Sequence, residues 1–365
     1  MVALIAVTAP VVAQVAPPRP EAVADLDAWA PSFLAENQIP GVLVALASGG
    51  EVVTSRAYGL ANVELGVPVT ESTVFEIGSI SKQFVSVVVM MLVEEGAVGL
   101  DDAVQAHLPE IPSEWYGTTV RQLLTHTSGI PDYEEIGTYD TYQHRLTPEA
   151  VLRIAQSRPV DFAPGTGFYY SNTGYFLLSR IVERVEGLPL GEVLATRIFD
   201  PLGMTQTRMA DPWVLIPNRA AGYWVDKTNT LINRWATEPS STLGAGGLLS
   251  SIGDLARWDE ALDGESLLSD ASKEAMWTPV RLPGGVVPHW PGGAPAEYGF
   301  GWQLDRLGGL RAQSHSGQVA GFVAYFARFP DQDAAVIVLT NRYRANARPL
   351  RDRVFATFVP GYVAG

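Results

Sequence analysis

Two apolar hairpin patterns lie at opposite ends of this 365-residue chain, and they limit the folds open to it. Near the start, Val42 to Ala47 runs into Ser48-Gly49-Gly50-Glu51 and leaves through Val52, Val53 and Thr54. Near the end, Phe322 to Phe329 leads to Pro330-Asp331-Gln332-Asp333 and on into Ala334 to Thr340. Short apolar runs around a tight polar turn pair as antiparallel strands. Leu26 to Asn37 and Arg348 to Phe358 have helical spacing and flank these hairpins. Between them, Ser79–Glu95, Thr119–Leu124, Pro148–Gln156, Tyr175–Val185, Leu190–Ile198 and Ser251–Leu262 read as helices separated by Gly/Pro loops. The expected fold class is α+β: an antiparallel sheet built from both chain ends and flanked by helices, with a mainly helical insertion. Residues 21–75 and 285–365 would form the sheet-containing domain and 76–284 the helical one. A binding cleft is expected at their seam.

Composition removes several functions. The chain carries 25 basic and 39 acidic residues, a net charge of −14, and such a surface repels phosphate backbones, so no nucleic acid partner is expected. It has no cysteine, which excludes disulfides, thiolate metal sites and a cysteine nucleophile. The histidines His107, His126, His144, His289 and His315 show no metal-binding spacing. No metal and no cofactor are expected. A Gly-x-Ser-x-Gly elbow, which an α/β-hydrolase would need, does not occur.

The stretch from Val2 to Ala16 is apolar but too short to span a bilayer, and no other segment could cross one. Val11-Val12-Ala13 resembles a signal-peptidase site, followed by a proline-rich spacer, while the basic leader is missing. Residues 1–20 therefore read either as a clipped export signal, giving a periplasmic or secreted protein, or as a disordered tail of a cytoplasmic one.

The most informative stretch is Phe75-Glu76-Ile77-Gly78-Ser79-Ile80-Ser81-Lys82. Ser79 stands where a helix begins, and that helix, apolar nearly all round, should be buried. Residues three apart share a helix face, so Lys82 points its amine along the side of the Ser79 hydroxyl. An unpaired ammonium is costly to bury, and a serine needs a neighbouring base to become a nucleophile. The chain has only two other lysines, Lys227 and Lys273. The structural alternative is that Ser79 caps the helix and Lys82 reaches out to solvent.

Two further motifs follow. Tyr170-Ser171-Asn172 enters a helix after Pro164-Gly165; a tyrosine can relay protons, and an asparagine amide both donates and accepts. Ser314-His315-Ser316-Gly317-Gln318 lies on or just before a strand, and its glycine would let another backbone or a ligand approach closely. Each alone has a bland reading, as a polar helix start over an aromatic patch or a satisfied histidine at a sheet edge.

In this order and spacing the three motifs resemble the signature of serine β-lactamases and penicillin-binding proteins. The chain is similar to the branch holding class C β-lactamases, D-alanyl-D-alanine carboxypeptidases, D-aminopeptidases and family VIII carboxylesterases. Leu123-Leu124-Thr125-His126-Thr127-Ser128-Gly129-Ile130-Pro131, Gly244-Ala245-Gly246-Gly247-Leu248 and Tyr298-Gly299-Phe300-Gly301-Trp302 extend the resemblance over residues 25 to 358. It implies a β-lactamase/transpeptidase-like fold and an acyl-enzyme on Ser79. Lys82 and Tyr170 would share the proton work, with the base left open between them. Asn172 would orient the substrate and Lys82, and His315, Ser316, Gly317 and Gln318 would line the opposite wall. The oxyanion hole would be the backbone N–H groups of Ser79 and Gln318. The partner would be a small ester or amide; oligomeric state is not implied.

His315 departs from the pattern, which has lysine there. A histidine, mostly neutral near pH 7, offers no fixed charge to a substrate carboxylate. Small neutral esters are therefore expected over β-lactams or D-alanyl peptides, with a shift toward carboxylate substrates at low pH as His315 protonates. Arg342, Arg344 and Arg348, with Asn346, follow the last strand and read as a solvated basic turn that could supply the missing charge. A non-catalytic binding protein on the same scaffold is the remaining alternative.

Overall fold

In the computed structural model, which describes residues 15–137, 143–234 and 237–364, the two hairpins join into one six-stranded antiparallel sheet. Its strands are β1 (Gly41–Ser48), β2 (Glu51–Asn62), β3 (Val67–Pro68), β4 (Gln313–Val319), β5 (Phe322–Phe329) and β6 (Ala334–Thr340). They lie side by side in the order β4-β5-β6-β1-β2-β3. The central joint pairs β1 with β6, Val42 opposite Thr340 and Ala47 opposite Ala335. The polar run Ser314 to Gln318 forms the edge strand β4, with His315 opposite Phe326 and Gly317 opposite Ala324.

The helices that matter for the site are α1 (Pro20–Glu36), α2 (Ser81–Glu94), α3 (Val120–Leu124), α4 (Pro148–Gln156), α5 (Asn172–Glu186), α6 (Ile252–Asp263) and α7 (Arg348–Phe358). Strand alternation decides what covers each face of the sheet. Val42, Val44, Leu46, Val336 and Val338 join Leu26 and Leu34 of α1 and Leu350, Val354 and Phe355 of α7 in one core. Leu43, Ala45, Ala47, Ile337 and Leu339 join α2, α5 and α6 in the other. With both faces covered, every residue of β1 is buried, which is why the strand reads as a continuous apolar run. Each fully buried Val or Leu here contributes about 1.5–3 kcal/mol.

Local signals place most helix ends. Thr119 and Gln122 form a reciprocal capping box at the start of α3, Thr147 caps α4 ahead of Pro148, and Gly187 ends α5 in a left-handed turn. Several ends differ from the sequence expectation: the helix expected from Tyr175 begins at Asn172, and the one expected over Leu190–Ile198 turns from α to π geometry after Leu194. The first helix begins at Pro20, six residues before Leu26, because a proline is well suited to a first helical position. The helix expected from Ser79 begins at Ser81, and a 3-10 turn, Gly78–Ile80, precedes it.

The α2 helix is buried from Ser81 to Met90, with Phe84 stacked on Trp258 of α6 at 4.2 Å between ring centroids. The stretch that suggested an export signal lies, up to residue 14, outside the described residues. Val15 is buried, and its N–H donates to Ser48 Oγ at 3.2 Å. No described helix is long and apolar enough to cross a membrane.

Candidate active site

The strand pair Phe75–Glu76 and Leu248–Ser250 delivers the chain to the α2 helix. Glu76 is buried there and holds two arginines, Arg219 Nη2 at 2.8 Å and Arg234 Nη2 at 2.5 Å. The chain then turns at Gly78, whose φ of +52° is open to glycine at little strain. A Cβ on Gly78 would stand 2.7 Å from the Gln318 nitrogen, and one on Gly317 only 1.8 Å from the Ile77 oxygen. These two glycines let the turn carrying Ser79 and the edge strand β4 touch backbone to backbone. Ser79 and Gln318 consequently line the same cleft, of about 650 Å³.

Lys82 lies one helical turn on and is wholly buried. Its Nζ donates to Asn172 Oδ1 at 2.7 Å, to the Ala245 carbonyl at 2.6 Å and to Ser79 Oγ at 3.1 Å. The alternative of a lysine reaching solvent is thus overturned, and Ser79 makes no capping bond. Burial pushes the Lys82 ammonium down to about pH 7, against an opposing pull from Glu134 and Asp132.

Two segments far apart in sequence lock together around this lysine. The Ser171 N–H donates to His126 Nδ1 at 3.1 Å, and Ser171 Oγ to the Ile130 carbonyl at 3.0 Å. Asn172 Nδ2 donates to Asp132 Oδ2 at 2.9 Å. Thr173 Oγ1 donates to the Pro131 carbonyl at 2.6 Å and accepts from the Tyr133 N–H at 3.0 Å. The stretch 126–133 therefore acts as a jig for 171–173. Its corner, His126, sits at φ +59°, a conformation a non-glycine residue adopts under local strain.

Tyr170 completes the group around Ser79. Its ring lies 4.8 Å from Lys82 Nζ and packs against His126, tilted by 35° with 4.2 Å between centroids. Among the described residues the buried hydroxyl has no partner at hydrogen-bonding geometry, although the nearby Ser79 hydroxyl eases its ionisation. Burial nevertheless raises the phenol well above its usual range, so Tyr170 stays protonated at neutral pH.

His315 stands behind Tyr170, buried among aromatic rings, while Gln318, Val319 and Ala320 form that side of the cleft. Its Nδ1 faces the Ser316 carbonyl at 2.6 Å and its Nε2 the Tyr298 hydroxyl at 2.9 Å. A carbonyl only accepts, so Nδ1 carries the proton and Nε2 accepts from Tyr298. Burial and the neighbouring Lys82 push the imidazole down to about 3. The expected charging of His315 at moderately low pH is therefore corrected: burial disfavours the imidazolium, and the neighbouring Lys82 opposes a second cation.

The cleft has its own charges. Glu134 and Glu135 line one side, and Arg344 lines another. Burial raises Glu134 to about 7. Of the three arginines after the last strand, Arg344 belongs to the cleft, exposed and stacked over Tyr343, and Arg348 starts α7. Sequence reading missed the roles of His126, Asp132, Glu134 and Tyr298. The local signals were the runs from Leu123 to Pro131 and from Tyr298 to Trp302, which carry no hint of what they touch.

A helix-start serine held by a buried lysine, between an antiparallel sheet and a helical region, defines a serine hydrolase of the β-lactamase and penicillin-binding protein superfamily. The chain belongs to the Beta-lactamase family, whose model matches residues 26–358. Penicillin-binding protein 4* of Bacillus subtilis (strain 168) is 32% identical over 322 residues, covering 84% of this chain and 69% of that protein. Esterase EstB of Burkholderia gladioli is 36% identical over 196 residues, 50% of each chain. The structure of D-amino acid amidase from Ochrobactrum anthropi SV3 with L-phenylalanine superposes with a TM-score of 0.79 at 25% identity, covering 93% of this chain and 98% of that one. The chain spans between half and about two thirds of the length of the curated relatives it matches.

Proposed function

We propose that this protein is a carboxylesterase that cleaves small neutral esters through an acyl-enzyme on Ser79. The observation that carries this reading is the bonding of Lys82. As a free amine it keeps two N–H groups on its two closer acceptors, Asn172 Oδ1 and the Ala245 carbonyl. Its lone pair then faces the Ser79 hydroxyl, 3.1 Å away. Lys82 takes the Ser79 proton as Oγ bonds to the ester carbonyl carbon. The oxyanion rests against the N–H groups of Ser79 and Gln318, at a helix start and a sheet edge that meet only because of Gly78 and Gly317. Tyr170, protonated at rest, passes a proton to the leaving alkoxide and recovers one from Lys82. Water then repeats the sequence on the acyl carbon and releases the acid.

Neutral esters are favoured because His315 is neutral and adds no charge beside Ser79; the other cation lining the cleft is the exposed Arg344. The name of the Burkholderia gladioli relative, esterase EstB, agrees. Glu134 and Glu135 favour a second reading, hydrolysis of amino-acid amides or esters whose ammonium they would face. A substrate panel separates the two: short-chain p-nitrophenyl esters, nitrocefin, and D-alanine amides and dipeptides. The esters should give the highest kcat/KM, and Ser79→Ala should abolish both turnover and fluorophosphonate labelling. An unlabelled wild type would mean a binding protein, and amides turned over faster than esters would favour the second reading.

A further inference from the structure

We infer that Asp132 is a positioning residue for this chemistry: it holds the Asn172 amide with its oxygen toward Lys82 and supplies part of the negative field around that lysine. The inference rests on the proposed role of Lys82 as base. Asp132 is buried, and both its oxygens are in use. Oδ1 accepts the Glu134 N–H at 3.0 Å, and Oδ2 accepts from Asn172 Nδ2 at 2.9 Å. A carboxylate can only accept, so the Asn172 face turned toward it must be the NH2 group. The amide oxygen is thereby left pointing at Lys82 Nζ, 2.7 Å away. The two ends of an asparagine amide are nearly the same shape, so its orientation is set by the groups that face them, here Asp132 on one side and Lys82 on the other.

The charge acts in the same direction. The groups that face Lys82 are Ser79 beside it, Tyr170 just before α5 and Tyr175 within it, Glu134 and Asp132 from the 131–137 segment, His126 from the jig, and His315 from β4. The histidines are neutral and the phenols protonated. Glu134 and Asp132 are therefore the anions that oppose the desolvation of Lys82. Asp132 is itself raised to about 6 by burial, so it shares its anionic range with the working range of the lysine.

Replacing Asp132 by asparagine leaves one acceptor where two are needed. Its NH2 then confronts either the Glu134 N–H or the Asn172 NH2. Relief comes when the Asn172 amide flips, which turns an N–H donor onto Lys82 and favours the free amine. Loss of the charge favours it as well.

The test combines two measurements on wild type, D132N and E134Q. Lysine labelled with 13C at Cε reads Lys82 directly, since the chain has only three lysines. The Lys82 signal should titrate about one pH unit lower or more in both variants. On a p-nitrophenyl ester, the acid limb of kcat/KM should move the same way. The plateau should fall at least tenfold in D132N and by less in E134Q, which keeps the amide lock. An unmoved Lys82 titration in D132N, or a lower plateau with an unmoved limb, would overturn the inference and leave Asp132 a structural cap. Should D132N fail to fold, D132S replaces it, because serine still caps the Glu134 N–H but cannot reach both groups. An ester that is not hydrolysed by the wild type sinks the proposed esterase reaction, and the lysine titration still decides the role of Asp132.

Discussion

Gly317 and Ile77 meet so closely that a methyl group on the glycine would lie 1.8 Å from the Ile77 carbonyl oxygen and 3.3 Å from the Ser79 nitrogen. This contact sets the spacing between the Ser79 turn and the sheet edge. In Gly317→Ala the edge must move away, and the two N–H donors no longer converge. The expected loss in kcat on a p-nitrophenyl ester is about 100-fold or more, the scale for removing one oxyanion donor. Circular dichroism should still report a folded protein with a lowered Tm.

In the proposed reaction Lys82 and Tyr170 act as one unit with Ser79, the Tyr170 ring lying 4.8 Å from Lys82 Nζ. Groups that share a proton path are non-additive when removed. Lys82→Ala and Tyr170→Phe should each lower kcat by a large factor, and the double variant by little more. Losses that multiply would mean that the two residues act separately.

The wild-type pH profile follows from Lys82. Only the free amine can take the Ser79 proton, and its ionisation is brought down to about 7. Activity should thus rise with pH through about 7, where an unperturbed lysine would require a pH above 10. His315, ionising at about 3, contributes nothing over this range. The ratio of ester to nitrocefin turnover should stay flat between pH 5 and 9. A ratio that tilts toward nitrocefin near pH 6 would return His315 to the role first expected of it.

His315→Lys would place a second buried ammonium beside Lys82, where Nε2 now accepts from Tyr298. An uncompensated buried charge costs about 3–5 kcal/mol. The sequence alone suggested that this change would favour carboxylate substrates. The buried position instead predicts a lowered Tm in thermal denaturation and an acid limb shifted to lower pH.

Glu76 supports the site from behind. Removing it in Glu76→Ala leaves Arg219 and Arg234 facing each other across a largely dry gap. The expected destabilisation is about 3–5 kcal/mol, measured by urea unfolding. Restoring one neutral partner in Glu76→Gln should recover part of it.

How much of this was legible in the sequence depends on how local the signal is. The Ser79–Lys82 contact follows from helical spacing, and the hairpin strands and α7 follow from their periodicity. β4 was harder to read, because its residues Ser314 to Gln318 serve the site and look unlike a strand. The jig between 126–133 and 171–173 left no pattern at all: it is built from hydrogen bonds between irregular segments, about 40 residues apart, and neither propensity nor period encodes such a meeting. His315 was rightly read as neutral near pH 7, but how far burial would hold it so at lower pH was not legible, for a related reason. The residue type gives the ordinary ionisation of an imidazole, while its actual state comes from Tyr298, Lys82 and burial, all supplied by other parts of the chain.

The joint between β1 and β6 sets Val42 opposite Thr340. On a ribosome, the first of these residues emerges long before the second exists, so the early hairpin must wait with one side open. Gln318 and the edge strand also arrive late, and the cleft around Ser79 has no second wall until then. A nascent chain halted anywhere before β4 would hold its serine and lysine yet remain chemically silent. Such widely separated pairing also makes folding slow, since the closure of a long loop precedes any gain from the contact. The proposed nucleophile therefore lacks its Gln318 wall until β4 has been made.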